Sequence, residues 1–335
     1  MVLCFGELLL RLSAAPDGKW LEKNSFGVYV GGAEMNVAHA LAHWRVPVCY
    51  CTAMPKNFLT KHLVNDIKEK HVDTSTILYK GDKLGFYYLE DGLSVQHAEV
   101  IYDRKHSSFA ELKKGMFDWD RVLDGIRWFH FSAITPALNK NLVDVCEEAL
   151  QACERKSIFV SVDLNYRPKL WQYGRKPNEV MPKLMQYCDA AMGNVWSAEA
   201  MLGVPLRPDL AHVNRKDAYL QQARETSERI AEMFPKCKIV ANTFRFGEDE
   251  IHYYGTLFSN RTFYVSAEYK GHPVVDKVGS GDCFMAGLIY GMFNRLPFQQ
   301  TINFSTAAAF TKLFIKGDCT NKTADEIRSF MMHYE

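Results

Sequence analysis

The segment Asp276-Lys277-Val278-Gly279-Ser280-Gly281-Asp282-Cys283-Phe284-Met285-Ala286-Gly287-Leu288 places two glycines around a small residue, immediately before a helical pattern. Glycines at such a point let consecutive backbone N–H groups turn into one concavity at a helix N-terminus, which is an anion site. Asp282 falls in the first turn, beside the place an anionic group would take. A carboxylate there repels a bare phosphate and makes a poor neighbour as a mere cap. As a base that takes a proton from an attacking hydroxyl, its position has a purpose. An acid in the first turn of a helix is also common for structural reasons, and the short segment alone favours that structural reading. Cys283 reads equally well as a small buried neighbour of that acid.

Outward from this segment, apolar runs alternate with amphipathic ones. Residues 2–10 read as one buried strand. Residues 33–44 read as a helix, apolar at Val37, Leu41 and Trp44, that stops before Pro47. A strand over 48–53 and a helix over 59–70 follow, then strands over 127–132, 157–164, 190–192 and 239–243, with helices over 141–155 and 303–314. The alternation predicts an α/β fold with a mostly parallel central sheet flanked by helices. Residues 11–30 and 77–104 break the rhythm: they are strand-like, aromatic and turn-punctuated, with a hairpin predicted about Asp91-Gly92. They read as a small β-sheet lid over the strand ends, or as an edge used for contact with a second copy. The expected division is a core of residues 1–10, 31–76 and 105–335 and a lid of residues 11–30 and 77–104.

The chain has 335 residues, 47% hydrophobic and 24% charged, long enough for one large domain or two small ones. Lys plus Arg is 40 against 39 for Asp plus Glu, so charge gives no ground for a nucleic-acid or membrane-surface partner. The longest uncharged apolar stretches are too short to span a bilayer, and Glu7 interrupts any signal-peptide core. Nine cysteines without a CxxC pair read as reduced core thiols, the usage of a cytoplasmic protein.

Adding Gly31-Gly32-Ala33-Glu34-Met35-Asn36-Val37-Ala38 to the opening segment, the chain resembles the ribokinase-type (pfkB) carbohydrate kinases. The first stretch matches that family's N-terminal sugar-binding signature and residues 276–288 its C-terminal signature, and two signatures in the right order are far more specific than one. The resemblance runs from Phe5-Gly6-Glu7 to Gly317-Asp318. Within the family the chain is most similar to the 2-keto-3-deoxygluconate kinases, through residues 6–13, Tyr102-Asp103-Arg104, residues 163–171 and Gly317-Asp318. The resemblance implies a ribokinase-like fold and ATP-dependent phosphorylation of a sugar acid, 2-keto-3-deoxygluconate, to its 6-phosphate. It also implies Mg2+ bridging the phosphates and a monovalent cation near the loop; the reading of the lid strands as an edge adds a homo-oligomer formed through the lid.

Residue by residue, Asp282 is expected as the base, with the N–H groups of Gly279, Ser280 and Gly281 stabilising the transferring phosphoryl group. Gly32, Ala33, Glu34, Asn36, Tyr88, Tyr102, Arg104, Arg167 and Asp318 are expected at the substrate. Asn165, Asn194, Thr243, Arg245, Gly279, Gly281 and Ala308 are expected at the nucleotide. No set of direct metal ligands stands out. The physical sense is that a carboxylate-bearing substrate invites bidentate arginine pairing, which a neutral sugar does not need. Each arginine reads also as a salt bridge, Glu34 as a helix-start acid, the asparagines as turn formers, and Ala307-Ala308-Ala309 as a helix-packing face.

Two departures stand against the family pattern. Lys277 replaces the usual Thr, as in the keto-deoxygluconate group. The family's Asn-x-x-Glu element, which helps hold magnesium through water, has Ser197 three residues after Asn194 and Glu199 two further on. Residues 205–222 carry no motif. The rivals are a fructokinase or another neutral-sugar kinase of the same fold, and a non-catalytic sugar-acid sensor. A nicotinamide-dependent enzyme is disfavoured, because no GxGxxG follows the first strand.

Overall fold

The computed structural model describes residues 1–14, 20, 25–90, 100–208, 210, 215–247 and 250–334. β1 (Val2–Phe5) is followed by β2 (Leu9–Ser13), β3 (Gly27–Gly31), α1 (Ala33–His43), β4 (Val48–Cys51), β5 (Ala53–Met54) and α2 (Phe58–Glu69). Next come β6 (Leu78–Tyr79), β7 (Gly85–Leu89), β8 (Val100–Asp103), α3 (Trp119–Val122), β9 (Trp128–Ser132), α4 (Ile134–Ala137) and α5 (Lys140–Arg155). Then β10 (Phe159–Asp163), α6 (Pro177–Met185), β11 (Ala190–Gly193), α7 (Val195–Leu202), α8 (Lys216–Met233) and β12 (Ile239–Phe246). β13 (Ile251–Ser259), β14 (Thr262–Val265), β15 (Tyr269–Gly271), α9 (Ser280–Phe293), α10 (Phe298–Lys312) and α11 (Ala324–Met332) complete the set.

The main sheet runs β14-β13-β12-β11-β10-β9-β1-β4, with β15 paired to β13. Its six strands from β12 to β4 are parallel, and β13 and β14 close one edge antiparallel. Val2 and Cys4 enter one core and Leu3 and Phe5 the other, so both faces of β1 are covered. That double burial is why the strand reads as an unbroken apolar run. A second sheet, β3-β2-β7-β8, stands apart as the lid. No helix among the described residues is long and apolar enough to cross a membrane.

The run over residues 2–10 is two strands, not one. The chain breaks at residues 6–8 and passes from the main sheet into the lid, whose first strand begins at Leu9. Periodicity could not reveal the switch, because both halves are buried on both faces. Leu78–Tyr79 also leaves the expected lid and pairs in parallel with Ala53–Met54. β7 and β8 form the expected antiparallel pair, from Phe86↔Asp103 to Leu89↔Val100, while Asp91-Gly92 lies outside the described residues.

α9 is buried almost all round. A Cβ on Gly287 would come within 2.6 Å of the Ser305 Cα, so α9 and α10 pack nearly backbone to backbone. The N-terminus of α9, and with it Asp282, is therefore carried by a rigid pair.

Candidate active site

A cavity of about 550 Å³ lies between the lid and the carboxyl ends of the parallel strands, where open α/β sheets bind ligands. Of the candidate residues named above, only Tyr88 and Ala308 do not line it. The loop between β15 and α9 forms one wall. Gly279 is its N-cap at φ 78°, and a Cβ there would lie 1.8 Å from the Asp318 carbonyl oxygen. Gly281 is helical and a Cβ on it would meet nothing within 4 Å, so the glycine required by backbone conformation is Gly279. Gly32, which caps α1 at φ 123°, is held against the Glu7 carbonyl in the same way, 2.4 Å from its virtual Cβ.

Asp282 is buried, and its Oδ2 accepts a hydrogen bond from Asn36 Nδ2 at 2.7 Å. Burial pushes its carboxyl up to about 6, opposed by the Asn36 hydrogen bond and the Arg167 charge. α1 and α9, distant in sequence, thus bring the two signatures onto one carboxylate. Burial likewise raises the Asp163 carboxyl at the end of β10, and Asp282 adds to the rise. Glu34 accepts from the Ser132 N–H at 2.9 Å and hydroxyl at 2.6 Å, so it braces the end of β9 while lining the cavity.

Arg167 is exposed at the mouth and donates to its neighbour's carbonyl, Tyr166 O, at 3.0 Å. Arg104 is different. Its Nε donates to Glu7 Oε2 at 2.6 Å, and Ser107 Oγ donates to Glu7 Oε1 at 2.5 Å, which makes a buried ion pair on the cavity wall. Arg245 Nη1 lies 3.4 Å from Ser280 Oγ, and burial lowers the pKa of its guanidinium. Asn194 spends its side-chain oxygen on the Ser197 N–H, capping α7 at 2.8 Å. Glu199 is exposed and does not line the cavity, whereas Ser197 does.

Two placements differ from expectation. In β7, alternation turns Tyr87 and Leu89 to the cavity and Tyr88 away, its ring 6.2 Å from Trp20. Tyr87 takes the expected place and donates to Asp318 Oδ2 at 3.0 Å. Ala308 is fully buried in the α9–α10 contact, its carbonyl accepting from Cys283 Sγ at 3.3 Å, so the alanine run serves helix packing.

Sequence reasoning also passed over a buried ion cluster that ties lid to loop. Arg11 of β2 donates to Asp276 Oδ2 at 2.8 Å, and its Nε lies 2.8 Å from Asp318 Oδ1, paired in charge though not aligned as a hydrogen bond. Arg11 stacks over Tyr29 at 4.2 Å. Burial raises the Asp318 carboxyl to about 6, against the pull of Arg11.

A glycine-walled anion loop, a buried carboxylate at its helix start and a separate β-sheet over the strand ends define a ribokinase-like sugar phosphotransferase. The chain belongs to the pfkB family carbohydrate kinases, whose sequence profile matches residues 1–324. It is similar to a 2-dehydro-3-deoxygluconokinase from Thermotoga maritima whose crystal structure is known, with 36% identity, 99% of each chain covered and a TM-score of 0.88. It is 26% identical to a 2-dehydro-3-deoxygalactonokinase from Haloferax volcanii, over 97% of this chain and 95% of that protein. Against a 2-dehydro-3-deoxygluconokinase from Bacillus subtilis it is 24% identical, over 98% of this chain and 94% of that protein.

Proposed function

We propose that the chain transfers the γ-phosphoryl group of ATP to the terminal hydroxyl of 2-keto-3-deoxygluconate, giving the 6-phosphate and ADP. The observation that carries the substrate class is the exposed Arg167 on the same cavity as Asp282 and the glycine loop. A guanidinium there supplies a bidentate partner for a carboxylate, which fructose and ribose lack. The names of the similar kinases support the same class of sugar acid.

In this scheme Asp282 accepts the hydroxyl proton as the oxygen attacks the γ-phosphorus, and the bond to the ADP oxygen breaks. The N–H groups of Gly279, Ser280 and Gly281 stabilise charge on the phosphoryl oxygens, and Arg245 stands beside them. Tyr102 and Asn36, which line the same cavity, are assigned to the sugar, and Asn165, Asn194 and Thr243, also on its lining, to the nucleotide. Oxygen donors at the strand ends, Asp163, Asn165 and the second lone pair of the Asn194 amide oxygen, suit Mg2+ held through water, and bound there it would neutralise phosphate charge. The lid excludes water that would otherwise hydrolyse ATP. Its Val28 and Ile101 are exposed, a surface suited to a second copy.

Release of ADP measured across a panel of sugars and sugar acids tests the assignment. Fructose turned over as efficiently as the sugar acid would make the neutral-sugar kinase the better description, and no turnover of any substrate would favour a sensor. Arg167→Ala is expected to lower kcat/KM for 2-keto-3-deoxygluconate by about 10- to 150-fold, the smaller loss matching its exposed position. Residual turnover of neutral ketoses should change much less, since they never used the contact. Equal penalties on both would show that Arg167 is structural. Sugar acid together with a non-hydrolysable ATP analogue should also slow amide exchange in β7 and β8. Unchanged exchange in both strands would remove the lid from the catalytic cycle.

A further inference from the structure

Lys312, the last residue of α10, has a fully buried side chain. Its ammonium reaches neither solvent nor the substrate cavity, and it has no part in the transfer scheme above. A lone ammonium in an apolar interior is costly, so its surroundings say what it is for. Nζ donates to the Ile315 carbonyl at 3.1 Å and to the Asp276 carbonyl at 3.5 Å. One of these carbonyls opens the anion loop and the other precedes the Gly317-Asp318 turn.

Those two segments are joined at several other points. Leu313 O accepts from the N–H groups of Val275 at 2.8 Å and Asp276 at 3.1 Å. Asp276 Oδ2 accepts from the Gly317 N–H at 3.1 Å, and its Oδ1 from the Val278 N–H at 3.0 Å. Gly279 lies directly against the Asp318 carbonyl. The buried carboxylates Asp276 and Asp318 both pair with the buried Arg11, and their charges also favour the ammonium form of Lys312. The Lys312 charge also acts on Asp282 in the sense that favours its ionised form.

We propose that the Lys312 ammonium is a covalently tethered monovalent cation of the phosphoryl-transfer site. Coordinated by backbone carbonyls, it clamps the anion loop to the 315–318 turn and places one positive charge behind the N–H groups that receive the phosphoryl group. The catalytic geometry then needs no dissociable monovalent cation at this point. Lys312 is a positioning residue: it acts through the backbone of the loop and does not touch substrate. A tethered ammonium differs from a free ion in a testable way, because removing the side chain leaves a carbonyl-lined site of the size and charge preference of a small monovalent cation.

The inference rests on the loop's being the phosphoryl site, so the test includes a readout independent of turnover. Wild-type protein, exchanged into tetramethylammonium chloride, should keep its kinase activity and melting temperature, and added potassium or ammonium should change neither. Lys312→Ala should lose about 10²-fold in kcat, with a smaller change in sugar KM. Millimolar ammonium or potassium should restore much of that loss and raise the variant's melting temperature, whereas tetramethylammonium at equal ionic strength, too large to enter, should do neither. Lys312→Met, which fills the space without charge, should be impaired and show no rescue. The proposal is overturned by a strict potassium requirement in the wild type, a measurement that needs no variant to fold. It is equally overturned by wild-type kcat in Lys312→Met, or by a Lys312→Ala protein whose activity and melting temperature respond to no small cation. An ammonium-dependent melting shift in a chain that phosphorylates no sugar acid would retain the cation site and overturn the substrate assignment instead.

Discussion

Asp282→Asn is expected to lower kcat by about 10²–10⁴ while sugar and ATP binding change little. The substitution keeps the shape of the side chain and its place in the first turn of α9, and it removes the proton acceptor. Since Asn36 donates to the native carboxylate at 2.7 Å, the variant amide must present its oxygen to Asn36 to keep that bond. The wild-type pH profile should carry the same signature. The Asp282 carboxyl is raised to about 6, chiefly by burial, so kcat/KM should be full above that pH and fall as pH drops through it and the base becomes protonated. The Asn36 hydrogen bond opposes the rise, so Asn36→Ala should move this acid limb to higher pH. A variant Asp282→Asn with a substantial share of wild-type turnover, measured by ADP release and checked for deamidation by mass, would reduce Asp282 to a helix-start acid.

The parts of this site that were legible in the sequence are those whose chemistry is local. The Gly279-Ser280-Gly281-Asp282 turn and the Gly32-Ala33 entry to α1 each carry their signal within a few residues, since a helix start after glycine is a local event. Helices such as α1 and α5 ended within a residue or two of the expected positions, because one amphipathic face sets their length. What the sequence hid depends on partners far along the chain. Tyr87 and Tyr88 are adjacent aromatics in a strand, and only the register Arg11↔Tyr87 against β2 decides which one faces the cavity. Arg104 follows a sugar-contact motif, yet its Nε is held by Glu7, 97 positions away. Lys312 at a helix end reads as an ordinary basic residue favouring the helix dipole. Beside the nearby Ile315 carbonyl, it also reaches the Asp276 carbonyl, 36 residues back, which no local pattern reveals.

Gly279 and Gly281 should separate into two different kinds of lesion, although they are two residues apart in one motif. At Gly279 any Cβ is placed 1.8 Å from the Asp318 carbonyl oxygen, at a φ of 78° that L-residues adopt at a cost of about 1–2 kcal/mol. Gly279→Ala must therefore push the anion loop off the 317–318 turn. Displacement of that order should lower kcat/KM for ATP by about 10²-fold or more, together with a lower melting temperature. At Gly281 the backbone is helical and open space surrounds the would-be Cβ on the cavity side. Gly281→Val should accordingly fold, melt near the wild type, and still lose about 10²–10³ in ATP-dependent turnover, because its methyl groups occupy the space a phosphoryl group needs. Sugar-acid binding, read by calorimetry without nucleotide, should survive in Gly281→Val and weaken in Gly279→Ala, whose strain passes through Asp318 to Tyr87 of the lid. Normal ATP kinetics in a folded Gly281→Val protein would mean that the phosphoryl group is received elsewhere, and the buried carboxylate beside the loop would then lose its claim as the base.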